Sequence, residues 1–329
     1  IKRRIRRIIP VLFTMKLISI PLALILLPPS RIIEFSISAF YSLGFISNVY
    51  FYFSGLQYEA FEGLFVPLLH TWSLSVEEQF YIFFPILLLI FHKFFKNYIF
   101  FLLIFLFFSS LVITEILSHS KQSLVFYFTY TRVWELILGS ILSFYEYKNP
   151  NKVNNKFLNL TMPTIGLIMI LFSLIFFDEK TRHPSLITLI PVIGTVLIIK
   201  YANKQDYITR LLSLKIIVFI GLISYSLYIW HFPIFAFAKI GGWASGSFLY
   251  KIYLGIVTIA ISSISYFILE NYFRNKKTQW KHVIYFLTFT GILIIVVNFF
   301  IIKNDGYKNR FNNLKVVNPN YNLDNFYLE

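Results

Sequence analysis

A chain of 329 residues with 57% hydrophobic residues is too apolar for an ordinary soluble domain, in which the apolar share is about 45–50%. Its formal net charge of +15 would suit nucleic acid, but the basic residues form short clusters between apolar runs, a pattern typical of membrane orientation and contact with anionic headgroups. Because the chain has no cysteine, disulfides, a thiolate nucleophile and a cysteine-based metal site are excluded.

Long apolar runs recur along the chain and define the fold class. Runs of about eighteen residues or more have the length of membrane-spanning helices, so the sequence predicts an all-α, polytopic transmembrane helical bundle. About nine spans are predicted, at residues 10–28, 74–92, 98–117, 126–147, 158–177, 184–202, 214–238, 249–270 and 282–302. Residues 33–53 are apolar but also carry four serines, Gly44 and Asn48, which predicts a re-entrant or interfacial segment.

The charges of the connecting loops predict the orientation of the spans. The start of the chain and the loops at residues 92–97, 148–157, 200–215 and 274–281 are basic, which places them in the cytoplasm. Loop 55–70 contains Glu59 and Glu62 but no Lys or Arg and is predicted to lie outside. This alternation requires that residues 33–53 do not cross the membrane. The membrane domain is then residues 1–303, and residues 304–329 form an extracytoplasmic linker or tail.

Residues 70–81, with the sequence HTWSLSVEEQFY, concentrate polar side chains at the mouth of a predicted span. Polar groups are costly there unless they are paired or face water, so a functional role is expected. Ser75 and Glu78 also have the spacing of a helix-capping box, which would explain two of these side chains but not the whole group. Acyl transfer to a hydroxyl requires a base and an oxyanion partner, and His70, Glu77 and Glu78 are the candidate catalytic residues.

The remaining polar groups each allow a structural and a functional interpretation. The arginines of residues 3–7 could orient the protein in the membrane or clamp phosphates of a cytoplasmic donor. Arg132 and Glu135 have the spacing of an ion pair, which could also shape a binding cavity. Trp72 could stack on a sugar or belong to the interfacial aromatic belt.

Two further groups lie in the second half of the chain. His231 lies deep in an apolar span before Pro233, where it could be a hydrogen-bonded core residue or part of a site. Glu270 and Arg274 could form an i,i+4 pair at a helix end. The sequence has no serine-hydrolase elbow, P-loop, zinc-protease motif or dinucleotide-binding glycine motif, which leaves those enzyme classes without support.

Four motifs together give the chain a family resemblance. They are RRIRRIIP at residues 3–10, HTWSLSVEEQFY at 70–81, GLISYSLYIWHFP at 221–233 and ILENYFR at 268–274. The chain resembles the integral-membrane acyltransferase-3 family, whose bacterial members O-acylate surface polysaccharides, lipooligosaccharide and peptidoglycan. The resemblance implies transfer of an acyl group, commonly acetyl, from cytoplasmic acyl-CoA to a glycan hydroxyl at the outer side of the bacterial inner membrane.

The resemblance also implies roles for individual residues and expectations about the chain ends. Arg4 and Arg7 match the arginine pair linked to donor handling. Acyl-CoA is the expected co-substrate, with no bound cofactor, metal or nucleic acid, and the expected partners are the bilayer and the glycan. Because the chain begins at Ile1 without Met, it is expected to be a fragment that lacks its first spans, where full-length members carry their essential histidine. Many relatives continue into an outer SGNH-hydrolase-like domain after the last span.

The preceding arguments together give the residues predicted to bind the acyl donor or the glycan acceptor. They are Arg4, Arg7, Trp72, Ser73, Gln79, Tyr81, Arg132, Glu135, Tyr225 and His231. Intramembrane Arg, Glu and His residues also mark translocation paths, so a non-catalytic glycan-lipid transporter or flippase is the alternative, together with a polysaccharide polymerase.

Overall fold

The computed structural model describes residues 2–55, 61–149, 155–178, 181–203, 206–243 and 248–310. Within these ranges the chain is predominantly helical and contains no β-strand, which confirms the predicted all-α class. The α-helices are α1 (Lys2–Leu26), α2 (Pro29–Leu43), α3 (Ser47–Phe53), α4 (Thr71–Phe95), α5 (Ile99–Ser118), α6 (Gln122–Tyr127), α7 (Val133–Lys148), α8 (Lys156–Phe176), α9 (Leu189–Tyr201), α10 (Tyr207–Leu212), α11 (Lys215–Ile240), α12 (Phe248–Ser265), α13 (Asn271–Arg274) and α14 (Trp280–Lys303).

Several helices are long and apolar enough to cross a membrane, so the chain is a polytopic membrane protein. Among the described residues the candidate spans number six: Lys2–Leu26, Thr71–Ser118, Lys156–Phe176, Lys215–Ile240, Phe248–Arg274 and Trp280–Lys303. The second contains both α4 and α5. Helices α7 and α9 have 16 and 13 residues, or about 24 and 20 Å of axial rise, against a hydrocarbon core of about 30 Å. The predicted count of nine spans therefore stays a prediction.

Two predicted spans begin later than expected. The helix predicted to start at residue 126 is interrupted, because Phe128 has an extended backbone and the first residue of α7 is Val133. The hydroxyl of Thr131 donates to the carbonyls of Val125 and Phe128 and so replaces helical amides there. The helix predicted from residue 184 begins as α9 at Leu189, after a short 3-10 turn.

Residues 33–53 form parts of two helices instead of one. Helices α2 and α3 are separated at residues 44–46, where Phe45 has a φ of +53°, in the left-handed region. The hydroxyls of Ser38 and Ser42 donate to carbonyls one turn earlier in α2, which satisfies them without water. Helices of 15 and 7 residues are each shorter than a span, and the re-entrant assignment stays a prediction.

The chain divides into two compact units. The first comprises Ile1–Tyr50, Ala60–Thr71 and Ile223–Glu329, and the second comprises Phe51–Glu59 and Trp72–Leu222. In the first unit α1 packs against α2 and α14, with Gly291 facing the Phe13 ring. In the second unit, α4, α5 and α7 share a core of Phe80, Leu103, Phe107, Leu111, Trp134 and Ile137.

The described start of the tail packs on the first unit. Arg310 donates to the carbonyl of Leu27 at 2.9 Å, and Gly306, at φ +66°, lies against the backbone of Pro29. Burial lowers the pKa of the Arg310 guanidinium. The predicted linker falls largely on residues 311–329, and part of the predicted outer acidic loop falls on residues 56–60; both stretches lie outside the described residues.

Candidate active site

A buried carboxylate organises one end of the first unit. The side chain of Glu270 is fully buried and lies 3.5 Å from Arg7 and 3.6 Å from Arg274, while both arginines are about half exposed. Ser226 donates its hydroxyl to the same carboxylate at 3.2 Å. The predicted pairing of Glu270 with Arg274 is confirmed. Residues Tyr266–Glu270 are π-helical, an uncommon geometry that is frequent at functional sites.

The arginine-rich start of α1 is fixed against the turn that precedes α14. Arg6 donates to the carbonyls of Asn275 and Thr278, each at 2.8 Å, and its guanidinium lies 5.6 Å from the Trp280 ring centroid. Lys2 lies over the same ring at 4.9 Å. These contacts fix Arg6 against the backbone carbonyls of the turn before α14. The other basic residues at the start of α1 add positive charge to this end of the unit.

The predicted donor pair, Arg4 and Arg7, lies at this end of the first unit. Arg4 is half-buried, and the two residues are three apart on one helix, so they are on neighbouring positions of one face. Arg7 is shared between Glu270 and solvent, with a side chain that is 46% exposed. A guanidinium at an exposed helix end can bind a phosphate, whose geometry matches its planar fork.

His70 is fully buried where the chain enters α4, and aromatic residues of α11 surround its ring. Measured between ring centroids, the His70 ring lies 5.3 Å from Phe232, 5.5 Å from Tyr228 and 5.9 Å from His231. The hydroxyl of Tyr228 donates to the backbone carbonyl of His70. Helix α11 therefore holds both the backbone and the ring of His70 and brings two imidazoles together.

The two histidines differ in their hydrogen bonding. Nδ1 of His231 lies 2.7 Å from the carbonyl oxygen of Tyr228, as expected for a hydrogen-bonded core histidine. Neither ring nitrogen of His70 makes a hydrogen bond of ordinary geometry to any described residue. The backbone of Ile229 interacts with the His70 ring, and the Ile229 carbonyl lacks its helical amide because Pro233 occupies the position four residues later. Contacts with α11 thus fix the position of the His70 ring, while its nitrogens lack ordinary hydrogen bonds to described residues.

The start of α4 corrects one interpretation of residues 70–81. The helix begins at Thr71, so Ser75 lies in its second turn and is not an N-cap, and the capping-box interpretation of Glu78 is wrong. Glu77 is exposed and Glu78 half-buried on this helix. The contacts that fix His70 come from the first unit, whereas both glutamates belong to the second, so their predicted partnership with His70 stays a prediction.

Arg132 is the centre of a second polar cluster, within the second unit. Its guanidinium lies 4.9 Å from the Trp72 ring and 5.1 Å from the Phe126 ring, and its Nε donates to the Phe126 carbonyl at 2.9 Å. It also lies 3.7 Å from Glu135, which confirms the predicted ion pair. Trp72 is buried and packs against Phe126 and Tyr127, so the surrounding side chains cover the ring that was predicted to meet a sugar or the interface.

Other predicted binding residues of α4 lie along the same unit. Thr129 donates its hydroxyl to the side-chain oxygen of Gln79, and Ser73 is half-buried. Tyr81 lines an open groove of about 570 Å³ between α4, α5 and α7. The groove is mostly aromatic and aliphatic, with hydroxyls from Tyr81, Ser140, Ser143 and Tyr147. Roles in substrate binding stay predictions for these residues.

Helix α11 links the two polar regions of the first unit. Its Ser226 contacts Glu270 and its His231 faces His70, five residues and therefore about 7.5 Å of axial rise apart. Its Tyr225 donates to the Ile8 carbonyl at 2.7 Å and so ties α11 to α1, and its predicted role in substrate binding stays a prediction.

Sequence reasoning missed one buried residue, Lys16. It is fully buried in α1, within an apolar span, and interacts electrostatically with His70. A lone lysine in a membrane span is itself a signal of function, and that signal was present in the sequence.

These features define a polytopic helical membrane protein with a basic end and a buried histidine, His70, whose ring lies beside that of His231 on α11. Residues 1–269 match the family model described as Acyltransferase domain (Acyl_transf_3), and the chain belongs to this family.

The relatives of the chain are O-acetyltransferases by name. The SACOL0978 protein of Staphylococcus aureus (strain COL), provisionally named an O-acetyltransferase, is 27% identical over 91% of this chain and 52% of its own length. Peptidoglycan O-acetyltransferase OatA of Listeria monocytogenes serovar 1/2a is 26% identical over 90% of this chain and 52% of its own length. O-acetyltransferase OatA of Staphylococcus aureus (strain NCTC 8325 / PS 47) is 27% identical over 84% of this chain and 47% of its own length. The chain thus spans about half the length of these relatives. No solved structure matches it.

Proposed function

We propose that the chain is the membrane part of an O-acyltransferase that takes an acetyl group from cytoplasmic acetyl-CoA and transfers it to a hydroxyl of a bacterial cell-surface glycan. Membership of the acyltransferase family and the names of the relatives support this reaction class. The proposal places the protein in the inner membrane, with the basic end of the first unit in the cytoplasm and the tail outside. The lipid bilayer, the acyl donor and the glycan are its partners.

One observation carries the proposal: α11 joins an arginine-rich end to a buried imidazole. Arg7 and Arg274 flank Glu270 at one end, and His70 lies beside His231 further along the same helix. Arg4 and Arg7 would bind the phosphates of coenzyme A, and its long flexible arm would carry the thioester inward. An acyl donor with phosphates at one end and a reactive thioester at the other matches this order of arginines and imidazole along α11.

The chemistry at the inner end is proton transfer coupled to acyl transfer. A glycan hydroxyl attacks the thioester carbonyl carbon, and its proton must be accepted as the bond forms. His70 is the proposed base, because its ring is held in place by α11 while its nitrogens lack ordinary hydrogen bonds to described residues. The proton then passes to the departing thiolate of coenzyme A, which completes the exchange of ester for thioester.

The acceptor is proposed from the family and the relatives. O-antigen, lipooligosaccharide, capsule and peptidoglycan are the glycans that such enzymes modify, and the name of the Listeria relative favours peptidoglycan. Glu77 and Glu78 are proposed to shape the acceptor side, where the carboxylates would bind sugar hydroxyls.

The test is label transfer in membranes from cells that express the gene. Membranes are given acetyl-CoA labelled in the acetyl group, and label is measured in the polysaccharide fraction. His70→Ala is expected to reduce transfer by about 10²–10⁴-fold, the usual contribution of a general base. His282→Ala is the matched control, because His282 is exposed on α14, and it should leave transfer unchanged.

Two results would contradict parts of the proposal separately. Glycan that gains no label with the unaltered gene would exclude the acyltransferase activity and leave a transporter or a polymerase. Full transfer by the His70→Ala protein would retain the activity and remove His70 as the base.

A further inference from the structure

Lys16 is a buried amine in the first unit. Its side chain is fully buried in α1, and its Nζ has no hydrogen-bond partner among the described residues. The Phe13 ring, 5.7 Å away, provides only a distant cation–π contact. The nearby helices therefore enclose a strong hydrogen-bond donor without supplying an acceptor for it.

The described carboxylates of the first unit are engaged elsewhere. Glu34 pairs with Arg31 at 2.8 Å, and Glu270 lies between Arg7 and Arg274. Buried charges are normally paired, and leaving one unpaired is strongly unfavourable. A ligand can therefore be the hydrogen-bond partner that the described residues do not supply to Lys16.

The position of Lys16 indicates what that partner is. Lys16 interacts electrostatically with His70, and both side chains are fully buried, so the amine and the imidazole belong to one buried region. Along α1, Lys16 lies nine residues from Arg7, or about 13.5 Å of axial rise. A ligand with phosphates at Arg7 and a reactive carbonyl further inward would bring that carbonyl to Lys16 and His70.

We propose that Lys16 binds the carbonyl oxygen of the acyl group while it is transferred. This inference rests on the proposed function. When the glycan oxygen bonds to the carbonyl carbon, the carbonyl oxygen gains negative charge and the hydroxyl proton passes to His70. Lys16 donates to that oxygen. Collapse of the tetrahedral species re-forms the carbonyl and breaks the carbon–sulfur bond, and the thiolate takes the proton from His70.

This role explains why the amine is tolerated in an apolar interior. The charge on the oxygen exists only during the reaction, so a donor aimed at it accelerates the chemical step more than it strengthens binding of the donor substrate. A residue that only held the helices together would be expected to have a protein acceptor, and the structure provides none among the described residues.

The experiment compares Lys16→Met, Lys16→Gln and unaltered protein in membranes supplied with labelled acetyl-CoA. Lys16→Met keeps the length and apolar stem but removes the donor, and kcat should fall about 10²–10³-fold with KM for acetyl-CoA within about twofold. Lys16→Gln retains neutral N–H donors, so its kcat should lie between the values for Lys16→Met and for the unaltered protein. Lys303→Met is the matched control, because Lys303 is exposed at the end of α14, and its kinetics should not change.

A stability measurement separates this role from a structural one. Removal of an unmatched buried amine should raise the melting temperature of purified Lys16→Met protein, by about 2–4 °C. A lower melting temperature would overturn the inference, because the amine would then hold the bundle together. An unchanged kcat in Lys16→Met would overturn it while the proposed function stands. No label transfer by the unaltered protein would instead refute the proposed function and, with it, this inference.

Discussion

Glu270 is the residue on which the basic end of the first unit depends. Its carboxylate is fully buried, accepts from Ser226, and is the shared counter-charge of Arg7 and Arg274. Without it, two guanidinium groups would lie beside each other with no intervening negative charge. The arrangement keeps two arginines close enough to bind one polyanionic ligand, while the exposed half of each remains available to it.

Replacement of this carboxylate by an amide should therefore be costly. Glu270→Gln removes the charge but keeps the shape, and we expect a loss of about 1–3 kcal/mol, since a charged hydrogen-bond partner is lost at a buried position. The loss is moderate because both arginines are about half exposed and retain water. Thermal unfolding of the purified protein in detergent measures it as a lower melting temperature.

Glu34 supplies the matched control for this substitution. It pairs with Arg31 at 2.8 Å, but both side chains are partly exposed, so Glu34→Gln should change stability by no more than about 0.5 kcal/mol. Equal melting temperatures for the Glu270→Gln and Glu34→Gln proteins would mean that burial gives Glu270 no special role.

Spacing in the sequence predicted the local pairs but not the long-range ones. Arg132 with Glu135 and Glu270 with Arg274 are three and four residues apart, so helical geometry alone brings them together. The contact of Arg7 with Glu270 depends on how α1 packs against residues 263 positions later, which no local rule determines. Trp72 was expected at a surface, and only the folded structure shows that Arg132 and Phe126 cover its ring.

At the scale of elements, α8 and α9 meet through two glycines. A Cβ on Gly166 would lie 2.5 Å from the carbonyl oxygen of Gly194, and a Cβ on Gly194 would lie 2.6 Å from that of Gly166. Small residues at such a crossing let two membrane helices approach backbone to backbone, where van der Waals contact is strongest.

Gly166→Ala should force these helices apart. The added methyl meets backbone rather than a movable side chain, so we expect a loss of about 1–3 kcal/mol from overpacking, read as a lower melting temperature. Gly255→Ala in α12 is the control, because nothing lies within 4 Å of its added Cβ, and alanine should stabilise that helix by about 0.5–1 kcal/mol. Similar effects of both substitutions would argue against the close crossing.

The short helix α10 depends on its N-cap, Asp206. One carboxylate oxygen accepts from the amide of Ile208 at 2.7 Å and from that of Thr209 at 3.1 Å. Burial raises the pKa of Asp206, but the hydrogen bonds from Thr209, Asn203 and Ile208 outweigh it and leave the pKa below its ordinary value. The cap therefore contributes stability above the ordinary pKa and loses it as the pH falls through the lowered one.

Asp206→Ala should release this turn at neutral pH. Loss of a cap costs about 1 kcal/mol, which corresponds to about fivefold faster amide hydrogen exchange at Ile208 and Thr209. Exchange in α9, measured in the same sample, should not change. An Asp206→Ala protein with unaltered exchange at both amides would show that α10 is held by packing alone.

Hydropathy predicted which stretches are helical more reliably than where they start. Apolar composition continues through residues 126–132, yet Phe128 is extended and Thr131 takes two backbone carbonyls as acceptors, so α7 starts only at Val133. The π-helical stretch Tyr266–Glu270 leaves no mark in an apolar pattern, because it changes the backbone register by one residue without changing composition.

At the scale of the whole molecule, the first unit gives internal support to the predicted orientation. Along α1 the chain passes from Arg7 to Lys16, and along α11 from Ser226 to His231, and both paths lead from the Glu270 end toward His70. Two spans that run in the same direction must start on the same side of the membrane. This agrees with the loop charges, which place both starts in the cytoplasm.

Single cysteines can test that orientation, because the natural chain has none. Leu64→Cys lies in the loop predicted to be outside, at a position that is 42% exposed, and Lys277→Cys lies in the exposed basic turn before α14. In intact spheroplasts a membrane-impermeant maleimide should label Leu64→Cys. Lys277→Cys should be labelled only after the membrane is permeabilised.

The reverse labelling pattern would mean that the first unit is inverted as a whole, with the start of the chain outside, because Arg7 and Arg274 contact the same carboxylate. The basic end around Glu270 would then face outward, away from any cytoplasmic coenzyme A, and Arg4 and Arg7 could not bind its phosphates. Labelling of both positions in intact spheroplasts would place both outside. The chain would then cross the membrane an even number of times between them, whereas the predicted spans give an odd number. The side of the membrane on which the basic end lies thus decides whether the acyl donor reaches His70 and His231 from the cytoplasm.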